Sequence, residues 1–239
     1  MRDRLALLLF CGCACWSSTG PTTNHDGGDP SVLSDTFDGA ALDSSWTVLH
    51  PEAVAITVAG SALTLRLTGP AFWFNASQGV LVYKSVTGNF KVTATVHARK
   101  ASAPTMPPDP PVNLGGLMAR NPASSSENYV FIVAGHDPNS VAVETKNTTD
   151  SSSQYSGVPW PSGDAQLRLC RVDATFQLLQ RTPGASTWIL AASFTRADLP
   201  GTLQVGPNIY SSAPVPDLQV SFDEAIFAGV STAAECSTD

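Results

Sequence analysis

Charge is scarce in this chain. Of 239 residues only 13 are Lys or Arg and 20 are Asp or Glu, and the basic residues form no cluster. That excludes a nucleic-acid surface, because neutralising phosphates takes a concentrated positive patch. The net charge of −7 is spread along the chain rather than gathered in an acidic tail. Long hydrophobic runs are missing too; the apolar stretch at 5–10 is too short to span a bilayer. No segment carries a sustained helical period with caps, which argues against a helical domain. The four histidines, His25, His50, His97 and His136, lie far apart without metal-ligand spacing, which argues against zinc. No Gly-x-Ser-x-Gly elbow occurs, and Gly115-Gly116 lacks the surroundings of a phosphate loop. A retaining glycosidase needs two carboxylates about 5 Å apart, and no Glu-x-Asp-x-x-Glu run supplies them on a strand. The one adjacent acidic pair, Asp223-Glu224, points to opposite faces of a regular strand unless a bulge intervenes. No catalytic residue is assigned, and the reading leans away from an enzyme.

What is present begins with a leader. Arg2 and Arg4 precede the apolar core, and small residues and cysteines follow, then a polar stretch to about Pro30. This is the order of an export signal. Gly12-Cys13 and Ala14-Cys15 each place a small residue before a cysteine, which resembles a bacterial lipobox. Cys13 is the better fit, although Phe10 stands where Leu is usual; Cys15 is the second choice, and ordinary cleavage near Gly20 without lipid is the alternative. The expected organisation is a signal at 1–14, a flexible tether at 15–30, a folded body at 31–230 and a tail at 231–239. Localisation is then the cell envelope, as an outer-membrane lipoprotein held by its lipid, or the exterior. Two of the five cysteines, Cys170 and Cys236, lie in the body. In an oxidising compartment they can pair and pin the C-terminus; otherwise Cys170 is buried and Cys236 free.

The body reads as strands. From Phe90 to Arg99 apolar and polar residues alternate strictly: Phe90, Val92, Ala94, Val96 and Ala98 on one side, Lys91, Thr93, Thr95, His97 and Arg99 on the other. A period of two with β-branched residues makes a strand with one buried face. Similar segments are expected at 62–67, 80–85, 114–120, 129–134, 141–146, 166–172, 175–181, 187–193, 202–210 and 218–227. Many short strands between turn residues predict an all-β, two-sheet antiparallel sandwich. Residues 101–112 carry five prolines and residues 147–163 are rich in Ser and Thr, so both are expected to be loops.

Several phrases in order then resemble a bacterial family of concanavalin A-like jelly-roll domains, the regulation-of-enolase-like and laminin-G-like modules. The run from Asp35 through Phe37, Asp38 and Leu42 to Trp46 resembles the family's opening strand and turn. Gly88-Asn89-Phe90 resembles the start of its central strand, and Leu114-Gly-Gly-Leu-Met-Ala-Arg120 its GLMVR strand. Leu167-Arg-Leu-Cys-Arg-Val-Asp-Ala-Thr-Phe176 is similar to its LRLRRVGNTF hairpin, Thr187-Trp188 to DGxxW, and Val220-Ser-Phe-Asp-Glu-Ala-Ile-Phe227 to the closing FDDFRV. Departures are Cys170 at a polar or Arg position, Asp173 at the turn Gly, and the long proline insert.

The resemblance implies a sandwich used as a lectin, as an accessory domain of xylosidases or as a laminin-G-like module, and it frames the candidate sites. Related sandwiches hold a calcium ion between opening and closing strands; here Asp35, Asp38 and Asp223 can offer hard oxygens. Otherwise Asp38 starts a turn and Asp35 is solvated. For a glycan the candidates are the polar strand face with Lys91, His97 and Arg99, and the aromatic platforms Trp73 and Trp160. The plainer reading is a solvated sheet face, with Trp73 in the core and Trp160 pinning its loop. Trp46 and Trp188 are expected in the core. The leading functional expectation is a non-catalytic carbohydrate- or cell-surface-binding module. A scaffold lipoprotein contacting another envelope protein and a polysaccharide-active glycoside hydrolase are the alternatives.

Overall fold

The computed structural model describes residues 28–239; the leader, with Cys13 and Cys15, lies outside the described residues. Strands are numbered in chain order, β1 to β15. One sheet has seven strands in the spatial order β1 (Thr47–Leu49), β4 (Val80–Thr87), β13 (Thr202–Ser211), β6 (Asn113–Arg120), β7 (Tyr129–His136), β8 (Val141–Thr149) and β9 (Ser152–Pro159). The other runs β12 (Ile189–Thr195), β11 (Thr175–Arg181), β10 (Asp164–Val172), β5 (Phe90–Arg99), β14 (Gln219–Phe222), β3 (Leu63–Leu67) and β2 (Val54–Val58), with β15 (Ile226–Gly229) also paired to β5. Every strand pair is antiparallel.

The alternation of β5 decides which side of its sheet is dry. Phe90, Val92, Ala94, Val96 and Ala98 are all fully buried. They meet Leu117, Ala119, Val130, Ile132 and Ala134 from the opposite sheet. This layer between the sheets is the main core, and Trp46 belongs to it. At about 25 cal/mol per Å² of apolar area, such burial is the chief force holding the sheets face to face.

Three expectations change. Residues 152–159, read as loop, form β9, an edge strand paired in register with β8 from Thr149↔Ser152 to Ala142↔Pro159. Its polar sequence hides it because an edge strand is held by main-chain pairing and needs little apolar alternation. The final strand is broken: Asp223 and Glu224 lie between β14 and β15, both of which pair with β5. The intervening bulge puts both carboxylates on the outer face, Asp223 beside His97 and Glu224 accepting from the Thr95 hydroxyl. Residues 231–239, expected as a tail, pack on the sandwich as a short 3-10 helix (Ala233–Ser237) held by a Cys170–Cys236 bridge with a Cα–Cα distance of 5.7 Å. Between β10 and β11, Asp173 takes a left-handed φ of 52°. Asp is among the side chains that tolerate this region.

Candidate functional site

Both outer sheet faces carry chemistry, and they differ in kind. On the eight-stranded sheet the polar face of β5 is cross-linked. His97 Nδ1 lies 2.6 Å from Asp164 Oδ1 and its Nε2 3.2 Å from Asp223 Oδ2. Burial alone would lower the His97 pKa, but the hydrogen bonds to Asp164 and Asp223 outweigh it and raise it. Arg99 also donates to Asp164, and the Trp160 indole donates to the Asp164 carbonyl at 2.9 Å. Thus His97, Arg99 and Trp160 are brought together, around an aspartate that sequence reasoning did not select. Trp160 is partly buried and packs against the core, so it pins its loop rather than standing free as a platform. Lys91 sits apart, its ammonium donating to the carbonyls of Glu235 and Thr238 at 3.2 and 2.7 Å.

Trp73 is on the opposite sheet, with 0% of its surface exposed, which corrects its assignment as a platform. The loop at 71–78 folds over the outer face of the seven-stranded sheet and drives the indole beneath it, edge-on to Tyr129 at 5.3 Å. Gly79 makes the room: a β-carbon there would lie 2.6 Å from the indole. The loop is tied down by Asn75, whose N–H donates to Ser153 Oγ at 2.8 Å while its side-chain oxygen accepts from the Ser153 N–H at 3.0 Å. At the loop's end Gln78 donates to Glu127, which Arg120 grips with two hydrogen bonds of 2.8 and 2.7 Å.

This cover creates a second apolar cluster of Trp73, Leu81, Leu114, Met118, Tyr129, Phe131, Val133 and Tyr210. It also leaves a cavity of about 230 Å³ walled by Phe72, Phe74, Val112, Pro138 and Tyr155, with Glu144 and Lys146 at its base. Glu144 and Lys146 alternate outward on β8, where the cross-strand neighbours Val133 and Phe131 crowd them. They are only 2% and 3% exposed and lie 3.3 Å apart. Tyr210 donates to Glu144 at 2.8 Å, and Lys146 donates to the Trp73 carbonyl at 2.9 Å. Four aromatic rings surround the ammonium: Phe131 at 4.8 Å, Tyr210 at 5.0 Å, Phe74 at 5.4 Å and Tyr155 at 5.5 Å. Burial pushes the Glu144 pKa up and that of Lys146 down, and it raises the Tyr210 phenol well above its ordinary value. Perturbed groups at the base of an aromatic cavity are a common mark of a binding or reactive site. Sequence reasoning missed them. The available signal was the unbroken apolar run Tyr129-Val-Phe-Ile-Val-Ala134, which demands cover on both faces.

The three aspartates expected to offer oxygens to calcium are not gathered at one point. Asp35 accepts from the Phe37 N–H and the Trp46 indole, both at 2.8 Å, Asp38 from the Thr36 hydroxyl at 2.6 Å, and Asp223 faces His97. Among the described residues no three His, Cys, Asp or Glu side chains are gathered to hold a metal ion. The opening turn already uses Asp35 as its own hydrogen-bond anchor, and the broken strand turns Asp223 outward.

No protein-family model and no curated protein matches the sequence. Solved structures do. A functionally unknown protein from Saccharomyces cerevisiae aligns with a TM-score of 0.65 at 14% identity, over 79% of this chain and 98% of that one. The lectin I-B4 from Griffonia simplicifolia, in its metal-free form, aligns at 0.55 and 13% identity, over 82% and 99%. The fold is the concanavalin A-like jelly roll. The GH43 protein BlXynB from Bacillus licheniformis aligns at 0.64 and 12% identity, over 82% of this chain but 39% of that one. The sandwich therefore corresponds to about two-fifths of that protein's length.

Proposed function

We propose that this chain is a non-catalytic glycan-binding module, held at the bacterial cell envelope by a lipid on Cys13 or Cys15. The cavity on the seven-stranded sheet carries this reading. Phe72, Phe74 and Tyr155 offer faces on which the C–H side of a sugar ring stacks. Glu144 and Lys146 supply a fixed acceptor and a fixed donor for its hydroxyls, and together they are electrically neutral. The cavity is smaller than the roughly 300–1,000 Å³ of most small-molecule sites, so it suits a chain end or a single ring. The kinship in fold with a lectin supports the same reading.

Tyr155 is 53% exposed, so Tyr155→Ala leaves the core intact and removes one wall. On a glycan array, the purified body should retain at least one glycan, and the variant should bind it about tenfold more weakly, as for an interface hot spot. Binding that Tyr155→Ala leaves unchanged, or no binding to any glycan, would overturn the reading; sugar release in an activity screen would overturn its non-catalytic part. Mass spectrometry of the mature N-terminus should find an acyl group on Cys13 or Cys15. An unmodified N-terminus near Gly20 would refute lipid display.

An envelope-protein partner is the second reading. It is favoured by Ile189 and Leu190, both exposed at the start of the free edge strand β12. Ile189→Lys should abolish a cross-link to such a partner and leave glycan binding untouched.

A further inference from the structure

The outer face of the eight-stranded sheet gathers cations that the strand ladder does not need. Arg168 on β10 and Arg181 on β11 both lie against the Trp188 indole, each with its guanidinium carbon 4.1 Å from the ring centroid. Lys91 on β5 lies beside Arg168 on the paired strand. In a chain with 13 basic residues and a net charge of −7, three on one patch are a concentration. Their occupant is the chain itself. Asp239 accepts from Arg168 at 3.2 Å and from the Trp188 indole at 3.0 Å through one oxygen, and from Arg181 at 2.9 Å through the other. A cavity of about 270 Å³ opens beside it, lined by Thr93, Gln166, Glu224, Ile226 and Ala228.

We propose that Arg168, Arg181 and the Trp188 indole form a second binding site, for the carboxylate of a terminal uronic acid residue on an acidic glycan, and that Asp239 closes this site. The chemistry follows from the present occupant. Two guanidiniums and an indole N–H in fixed positions make a carboxylate receptor, and Arg168 is held in place by the Thr93 hydroxyl at 2.8 Å and is 4% exposed. The Asp239 side chain is 62% exposed. Water therefore weakens its ion pairs, and a competing carboxylate can take over the same donors. The adjoining cavity fits the rest of the ring, with Ile226 and Ala228 against the C–H face and Glu224 and Gln166 near the hydroxyls. An acidic peptide fits less well. The cavity lies over β5, which is paired on both sides by β10 and by β14 and β15, so a peptide seated in it meets no main-chain edge; the free edge strand β12 lies beyond β10 and β11. The site shares no residue with the aromatic cavity of the opposite sheet and stands independently of it.

The test is calorimetric titration of the full chain with a glucuronate-terminated oligosaccharide and with its glucose-terminated counterpart. Only the uronate should bind here. Asp239→Ala removes the competitor and should tighten binding about three- to tenfold, the range expected from releasing two ion pairs made by an exposed carboxylate. That gain cannot arise from a misfolded protein. Arg181→Gln, with its melting temperature checked, should abolish binding, whereas Tyr155→Ala should leave it unchanged. The proposal is overturned if Asp239→Ala binds the uronate no more tightly than the native chain. It is also overturned if both oligosaccharides bind alike, or if an acidic hexapeptide binds the Asp239→Ala protein more tightly than the uronate does.

Discussion

Removing the ammonium of Lys146 tests whether the base of the aromatic cavity is a paired charge site. At 3.3 Å from Glu144, Coulomb attraction is worth roughly 5 kcal/mol at an effective dielectric of about 20. Desolvating two ions costs several kcal/mol each, so the intact pair contributes little net stability. Breaking it is another matter. Lys146→Met keeps the aliphatic stem among Phe131, Phe74, Tyr155 and Tyr210 but leaves the Glu144 carboxylate buried with Tyr210 as its remaining donor. That should cost about 3–5 kcal/mol, the loss typical of a stranded buried charge. Glu144→Gln should cost less, about 1–2 kcal/mol, because the ammonium keeps the Trp73 carbonyl at 2.9 Å and the ring faces. The double variant, which buries no charge, should be more stable than Lys146→Met alone. Urea unfolding followed by Trp fluorescence gives the three midpoints. A Lys146→Met protein within about 1 kcal/mol of the parent, or a double variant as unstable as the sum of the singles, would refute the pairing argument.

Two further outcomes follow from the opposite sheet. The pKa of His97 is raised in the folded state, so its contribution to stability is complete below the unfolded value of about 6.5 and disappears as pH rises through the folded value. A melting-temperature profile should therefore fall across that window and flatten in His97→Gln; an unchanged slope would refute the clamp. The Cys170–Cys236 bridge closes a loop with a sequence separation of 66, for which chain entropy predicts about 4 kcal/mol. Replacing both cysteines by Ala should remove about 2–4 kcal/mol in urea and expose Trp188, read as a red shift of emission; a loss below about 1 kcal/mol would refute a stabilising role.

The strands legible in the sequence were those with one dry face. β5, β10 and β11 reveal themselves because side chains alternate between an apolar interior and water, a local signal with a period of two. Their order and turns were enough to indicate a two-sheet antiparallel sandwich. β9 and the break at Asp223–Glu224 were not legible, because one depends on main-chain pairing with β8 and the other on how β5 is shared between two short partners. The candidate ligand residues fared the same way. His97 and Arg99 could be placed on one face, but Asp164, around which they converge, lies 67 residues from His97.

The amino-acid sequence by itself thus determined the all-β class, the inward and outward sides of each regular strand, and two cysteines available to pair. Only the tertiary structure decided that Trp73 is buried and that Glu144, Lys146 and Tyr210 meet at the base of an aromatic cavity. It also decided that Asp239 reaches Arg168 and Arg181. The reason is physical: alternation is set by neighbours along one strand, whereas a site is set by which loop lies over which sheet. That outcome comes from packing between segments far apart in the chain, and no local period encodes it.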